Sequence, residues 1–599
     1  MGYLRPYRLA LWGSLIFAWA AMGMTVLIPW LIGKAVDAVE NGNKPALLPL
    51  ALAIVGAGIL RLGLTVVRRL VAGKVSLAVE FDLRQQFYAH LQRLDLGFFD
   101  GQQTGQLMSR ATVDLQSIRF FLGYGLIFIT QNILTITLAA VVMIAINPLL
   151  ALVALIPAPF VILTATRYSQ ISRPAQQEVQ QRIAELTAEA EENVSGIRIV
   201  KAFAREEHQL HRFQRAVARV FDQSIYTTRV QAFFSPLIGL LPQIGIALVL
   251  LVGGREVIDG SLSPGAFVAF YFYVGMLAGP MRSLGMALGM AQRAVASGNR
   301  MFEVLDRKPA LQSPPGAPAL PAGGGAVELR DVTLRYGSEL HQISYPAGEK
   351  SDAVRESEAH ELVAALREVD LSVEAGKTVA LVGPSGAGKT SLVGLIARLY
   401  DPSEGTVLVD GADVRDIDVE SLRSQIAFVG DDSFLFTASV AENIAYARQD
   451  ASMEEIEAAA RRAQADGFIR ELPEGYETRV GERGLTLSGG QRQRVAIARA
   501  LLADPRILIL DDATSSVDAT TESAIKAGLR EAMAGRTTFI IAHRLSTVSL
   551  ADEIVVMDGG TIVDRGSHEE LMAQGGEYAH MFEVQAQYYR EEQEVEADA

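Results

Sequence analysis

Cysteine is absent from all 599 residues, which excludes disulfides, thiolate metal sites and a cysteine nucleophile. A basic excess is missing as well: 54 Lys and Arg stand against 68 Asp and Glu, for a formal net charge of -14. That balance argues against a nucleic-acid partner, because phosphate backbones select basic surfaces. Charge of either sign is missing from residues 9–33, which follow Arg5 and Arg8. Such a run is long enough to cross the roughly 30 Å hydrocarbon core of a bilayer. Ala18-Trp19-Ala20 has the small-residue pattern of a signal-peptidase site, yet the apolar run continues through Met24, Val26, Leu27 and Trp30, which predicts a retained span.

What the chain has in plenty is apolar side chains, 50% of its residues, with a mean hydropathy of +0.22. That exceeds what a soluble protein of this length usually shows, and the length itself implies more than one domain. Further apolar runs at 45–67, 120–146, 148–166, 232–253 and 265–291 bring the expected spans to six. An even number returns the chain to its starting side. The connections at 34–44, 146–148 and 253–265 are short, whereas 71–119 and 167–229 are long and charged. Arg5, Arg8, Arg68, Arg69, Lys74 and Arg167 flank the spans on the long-loop side, which places that side and both termini in the cytoplasm. The segment 176–192 is rich in Ala, Glu, Gln and Arg, so the long inner segments read as helices continuing out of the membrane. Arg61 lies well inside a span, either as a cavity-lining or gating residue or as a snorkelling one.

After Met301 the composition changes. Residues 307–325 carry Pro309, Pro314, Pro315, Pro318 and Pro321 and then three glycines from Gly323, which is the pattern of a linker. Beyond it, short β-rich runs alternate with helical stretches as in a soluble α/β domain. The expected layout is therefore an all-α membrane domain with cytoplasmic helical extensions over 1–304, a linker over 305–325 and an α/β P-loop domain over 326–585. An acidic tail, 586–599, closes it.

The strongest local signal is Gly383-Pro384-Ser385-Gly386-Ala387-Gly388-Lys389-Thr390, between a predicted strand at 378–382 and a predicted helix at 391–399 that opens on Ser391. Glycines there let successive backbone N–H groups and the helix N-terminus turn toward phosphate oxygens, while Lys389 reaches the β- and γ-phosphates. The Thr390 hydroxyl is placed to ligate Mg²⁺. Ile507-Leu508-Ile509-Leu510-Asp511 is an apolar strand ending in a carboxylate, which in a P-loop protein faces the nucleotide's Mg²⁺. Upstream, Leu487-Ser488-Gly489-Gly490-Gln491 starts a helix with a hydroxyl and free amides. Taken alone it would equally be a helix N-cap.

In order and spacing, GPSGAGKT, LSGGQ, the strand to Asp511 and Ala542-His543-Arg544 resemble the ATP-binding cassette family, and with six preceding spans they resemble an exporter half-transporter over nearly the whole chain. The resemblance implies ATP and Mg²⁺ as ligands and a second half-transporter as partner, because in that family each ATP lies between one chain's P-loop and the other's LSGGQ. Ser488, Gly489, Gly490 and Gln491 would then serve the partner's site. It further implies that Tyr336 stacks on adenine, although a tyrosine ending a strand also fits ordinary packing. His543 would contact the γ-phosphate. Phe98-Phe99-Asp100 with Thr104-Gly105, and residues 196–206, match the helices that rest on the cassettes; Thr478, Val480, Gly481, Glu482 and Gly484 match the exporter-specific loop before LSGGQ.

Three departures stand out. Asp512 occupies the place of the catalytic glutamate, and Gly430-Asp431 the place of a Pro-Gln pair whose amide contacts Mg²⁺ and water. Between Tyr336 and Gly383 the spacing is about twice the family's, which implies an insertion near 338–361. Within it, 351–369 predicts an amphipathic helix carrying Val354, Leu362, Leu366 and Val369 on one face, for a partner or as a solvated surface. The expected function is one subunit of a dimeric ATP-driven exporter of hydrophobic or amphipathic solutes, heterodimeric and contributing a degenerate ATP site. Alternatives are a siderophore-like importer with the same fold and an ATP-gated regulatory or channel subunit with slow hydrolysis. Soluble cassette proteins are excluded by the spans. Phe120, Phe121, Tyr124 and Phe128, with Phe267, Phe270, Phe272, Met286 and Met290, either line an apolar cavity or pack against helices and lipid.

Overall fold

The computed structural model describes residues 2–336, 364–430, 433–481, 484, 486–511, 519–542 and 545–584. Two compact units make up the chain, residues 1–92 with 105–307 and residues 93–104 with 308–599.

The first unit is helical. Its long helices are α1 (Arg8–Glu40), α2 (Lys44–Leu91), α4 (Thr104–Ile146), α5 (Pro148–Ser195), α7 (Glu206–Ile258) and α8 (Pro264–Leu305). The short α3 (Leu96–Asp100) and α6 (Ile197–Ala202) interrupt the series. Each of the six expected spans lies inside one long helix. Five of the helices are long and apolar enough to cross a membrane, and α8 is apolar over Pro264–Leu277. A span needs only about 20 residues. The 48 residues of α2 and the 53 of α7 are therefore long enough to run on beyond the bilayer.

Local chemistry fixes the joints. Asn147, between α4 and α5, accepts the Leu150 N–H at 3.0 Å, and Ser263 caps α8 by accepting from Ala266 at 3.1 Å. Both are followed by proline at the first helical position, where a missing N–H costs nothing. Helices α1 and α8 cross closely at glycine: a Cβ on Gly265 would lie 1.9 Å from the Gly33 carbonyl oxygen. Asp37 of α1 secures that crossing by accepting from the Gly265 N–H at 2.7 Å and the Ser263 hydroxyl at 3.1 Å. Further along, Pro29 interrupts the α1 hydrogen-bond ladder, and the buried Tyr273 hydroxyl donates to the Val26 carbonyl at 2.8 Å. Helix α4 contains two π-helical segments, Arg110–Asp114 and Phe121–Gly125.

The second unit carries two sheets. One is antiparallel, in the order β2-β1-β4-β5, from β1 (Val327–Arg335), β2 (Ala364–Val373), β4 (Glu404–Val409) and β5 (Ala412–Asp413). The other runs β10-β9-β3-β8-β7-β6, from β3 (Thr378–Val382), β6 (Ile426–Val429), β7 (Ile507–Asp511), β8 (Thr537–Ile541), β9 (Glu553–Asp558) and β10 (Thr561–Gly566). All its pairings are parallel except β9 with β10. Val379, Leu381, Ile507, Ile509, Phe539 and Ile541 face one core, and Ala380, Val382, Leu508, Leu510 and Ile540 the other. Burial on both faces explains why β3 and β7 are continuous apolar runs rather than alternating ones.

Three expectations need correction. Residues 93–104, assigned from sequence to the membrane domain, group with residues 308–599, where Asp95 accepts from Ala310 and Asp100 from Tyr400. The amphipathic helix expected over 351–369 does not extend through its end, since residues 364–373 form strand β2; residues 337–363, which hold the rest of it and the insertion, lie outside the described set. Leu366 and Val369 are both buried because Glu368 takes a left-handed φ of +47°, a bulge that breaks the two-residue alternation and leaves a helix-like spacing of three. Finally, the P-loop helix runs over Lys389–Ile396 rather than 391–399, stopped by Arg398 at a φ of +47°. The tail 586–599 is likewise outside the described residues.

Candidate nucleotide-binding site

The cradle hangs between buried β3 and α9 (Lys389–Ile396), as the sequence requires. Gly383 has φ +146°, and a Cβ there would lie 2.1 Å from the Met557 carbonyl oxygen. Gly388, at φ +95°, would place a Cβ 2.5 Å from the Ala365 carbonyl oxygen. Both are glycine for conformation and for space. Ser385, Gly386 and Thr390 are exposed at the mouth of the loop, with Ser391 half-buried beside them.

Lys389 is only 5% exposed, and its Nζ donates to the carbonyls of Gly383 at 2.7 Å and Pro384 at 2.9 Å. Burial pulls its pKa below the usual lysine value, and the nearby Asp511 carboxylate opposes that shift. A buried cation held by carbonyl dipoles matches the task of neutralising phosphate oxygens. Asp511 ends β7, two strands from β3, opposite Ile541 of β8. Among the described residues no cluster of three His, Asp or Glu could hold a metal. Mg²⁺ with one or two protein oxygens, here Thr390 and Asp511, and the remainder from phosphate and water fits that donor set.

Tyr336, at the end of β1, reaches the same loop: its hydroxyl lies 2.8 Å from Ser391 Oγ. Its ring meets Tyr400 edge-on, with centroids 5.2 Å apart at 84°. The Tyr400 hydroxyl in turn donates to Asp100 of α3 at 2.6 Å. Sequence reasoning missed this contact from P-loop to docking helix, because residues 300 apart leave no local trace. Helix α3 is capped by Asp95, which accepts from Phe98 N–H at 3.2 Å and from Ala310 N–H at 3.1 Å.

The LSGGQ turn sits elsewhere. Ser488 caps α11 (Gly489–Ala503) in a reciprocal box, its hydroxyl accepting the Gln491 N–H at 3.3 Å and its own N–H donating to Gln491 Oε1 at 2.9 Å. This helix packs on α10 (Met453–Arg462) and α12 (Ala519–Met533), whereas α9 packs on β2, β4 and β8. Ser488 and Gly489 are exposed and Gly490 is buried. The preceding loop is tied down: Val480 is buried and its N–H donates to the Ala438 carbonyl at 2.9 Å. Asp512, Asp431, His543 and Glu482 lie outside the described residues.

Residues 11–281 match the ABC transporter transmembrane region and residues 366–515 match the ABC transporter cassette. An ABC transporter ATP-binding protein of Bacillus subtilis (strain 168), YknU, is 36% identical over 97% of this chain and 96% of its own. This chain belongs to the ABC exporter family. The exporter is also 38% identical, over 86% of its length and 85% of the relative's, to an ATP-dependent lipid A-core flippase of Desulfotalea psychrophila. A solved bacterial Atm1-family ABC exporter with ATP bound superimposes with a TM-score of 0.77 at 30% identity, covering 97% of this chain and 98% of that one. The exporter is accordingly a multi-pass inner-membrane protein whose cytoplasmic ATPase couples ATP hydrolysis to export, and which acts as a dimer.

Proposed function

We propose that this chain is one half of a heterodimeric exporter with unequal ATP sites, moving a hydrophobic or amphipathic solute outward by alternating access. The observation that carries the reading is Asp512 standing directly after Asp511, where the family has glutamate, in a chain whose LSGGQ turn is intact and exposed. Aspartate is one methylene shorter, and misplacing an attacking water by about 1 Å costs on the order of 10²-fold in rate. Asp431 in place of an amide weakens the same site a second time.

In this reading Gly383, Ser385, Gly386, Gly388 and Ser391 present amides and hydroxyls to phosphate, Lys389 supplies the cation and Tyr336 stacks on adenine. Thr390 and Asp511 would hold Mg²⁺, which when bound would supply charge neutralisation at the phosphates. His543 contacts the γ-phosphate. ATP stays bound in this slow site and holds the cassettes together, while Ser488, Gly489, Gly490 and Gln491 complete the partner's hydrolysing site. The test is a pair of substitutions in the assembled dimer: Asp512→Asn alters turnover mildly, and Ser488→Arg stops it. Exporter-like hydrolysis by the purified chain alone, abolished by Asp512→Asn, would instead establish a homodimer in which Asp512 is a working base.

A further inference from the structure

Within the helical unit, α2, α4 and α8 line an open cavity of about 350 Å³, with Tyr124 63% exposed at its wall. That is the lower end of the range that holds a small organic ligand. Phe120, Tyr124 and Phe128 of α4 line one wall, with Met290 of α8 beside them. Sequence reasoning singled these four out with several others. The structure separates the groups, since Phe270 is fully buried in the helix core, and the Met286 side chain lies outside the described set. The cavity is not uniformly apolar. Arg68 and Arg69 of α2 and Gln131 of α4 also line it. Gly123 lets the helices close on this side, because a Cβ there would lie 2.8 Å from Ser76 Oγ.

Arg68 is the unusual member. It is 7% exposed, yet its Nε is buried with no hydrogen-bond partner. Four other arginines of these helices are matched by carboxylates. Glu80 takes Arg84 at 2.7 Å and Arg119 at 3.3 Å, Glu303 takes Arg110 at 3.5 Å, and Asp114 takes Arg300 Nε at 3.0 Å. Neither Arg68 nor Arg69 has a carboxylate at ion-pair distance among the described residues. A buried guanidinium without counter-charge is costly, more so near hydrocarbon. Its planar fork suits the two oxygens of a carboxylate or phosphate. Both arginines stand at the cytoplasmic end of the second span.

We propose that this cavity is a transport-ligand site for a singly headed anionic amphiphile, with the acidic group on Arg68 and Arg69 and the tail along Phe120, Tyr124 and Phe128. The inference deepens the export reading and rests on it for direction, but binding itself requires neither ATP nor unequal sites. The test therefore uses the assembled exporter, free of nucleotide, in phosphatidylcholine nanodiscs, with 11-(dansylamino)undecanoic acid as fluorescent probe and its primary amide as uncharged control. The acid binds at least tenfold more tightly than the amide. Arg68→Gln removes at least tenfold of the acid's affinity, Arg68/Arg69→Gln more, and Arg68→Lys restores part of it. Lys74→Gln, which removes a charge from an exposed position of the same helix, leaves the affinity unchanged. Equal binding of acid and amide by the unaltered protein, a result independent of how any variant folds, would overturn the proposal. So would undiminished acid binding in the double variant. Loss of ATP hydrolysis with selective acid binding retained points instead to failure of the export reading.

Discussion

The P-loop and the LSGGQ turn are both glycine-rich starts to a helix, and the structure uses glycine differently in each. At Gly383 and Gly388 the backbone is left-handed and a Cβ would strike a carbonyl, so the cradle is fixed by its own fold. Gly489 and Gly490 are helical residues whose turn is held by the box between Ser488 and Gln491, leaving Ser488 and Gly489 facing outward. The first is a finished half-site. The second is an outward-facing turn, which under the proposed function completes a site on another chain. The two short helices α3 and α6 repeat the contrast. Helix α3 buries Phe98 and binds Tyr400 through Asp100, while α6 buries no residue and leaves Ile199 and Phe203 66% and 73% exposed.

Breaking the finished half gives the largest effect. Lys389→Ala removes the only side-chain cation of the cradle, and photolabelling of this chain by an azido-ATP analogue falls at least a hundredfold; unchanged labelling sinks the assignment. Ser488→Arg attacks the surface half and lowers dimer turnover about a hundredfold while labelling at this chain's own P-loop persists. Loss of both together would show that the two motifs are not separable halves. Tyr336→Ala costs roughly 1–3 kcal/mol of nucleotide affinity if the ring stacks on adenine, with ATP and GTP alike affected. Calorimetric titration distinguishes that from a packing role, which lowers the melting temperature and spares affinity.

The smallest effect is at the docking contact. Tyr400→Phe removes one hydrogen bond to a carboxylate, worth about 1.5 kcal/mol at this exposed contact, read as a modest drop in melting temperature. Burial, and then the bond to Asp100, holds the Tyr400 phenol above its ordinary value of 10.0. An acid whose folded pKa is raised stabilises the fold below its unfolded pKa and loses that contribution as pH rises beyond it. The melting gap between the native protein and Tyr400→Phe is therefore constant from pH 7 to 9 and narrows above about pH 10. A gap that widens there contradicts the contact.

The glycine loop between β3 and α9 was readable from sequence because its signals are local: eight consecutive residues, a strand before and a helix after. The same holds for the spans, where length and apolarity suffice. Strand β2 was misread because a bulge at Glu368 places Leu366 and Val369 on one face at helical spacing, and only pairing with Val332 and Leu334 of β1 reveals the strand. Arg68 looked like one more flanking charge, indistinguishable in sequence from Arg69, Lys74 or Arg167.

What the sequence alone determined is the order of parts and the identity of the cradle, since both rest on contacts between near neighbours in the chain. Tertiary structure alone decided that Asp100 meets Tyr400, that Gly33 and Gly265 touch, and that Arg68, buried and without a counter-charge among the described residues, shares a cavity with three aromatic rings. Those depend on which faces of distant helices pack together, and the free energy of packing is spread over many contacts that no single stretch of sequence encodes.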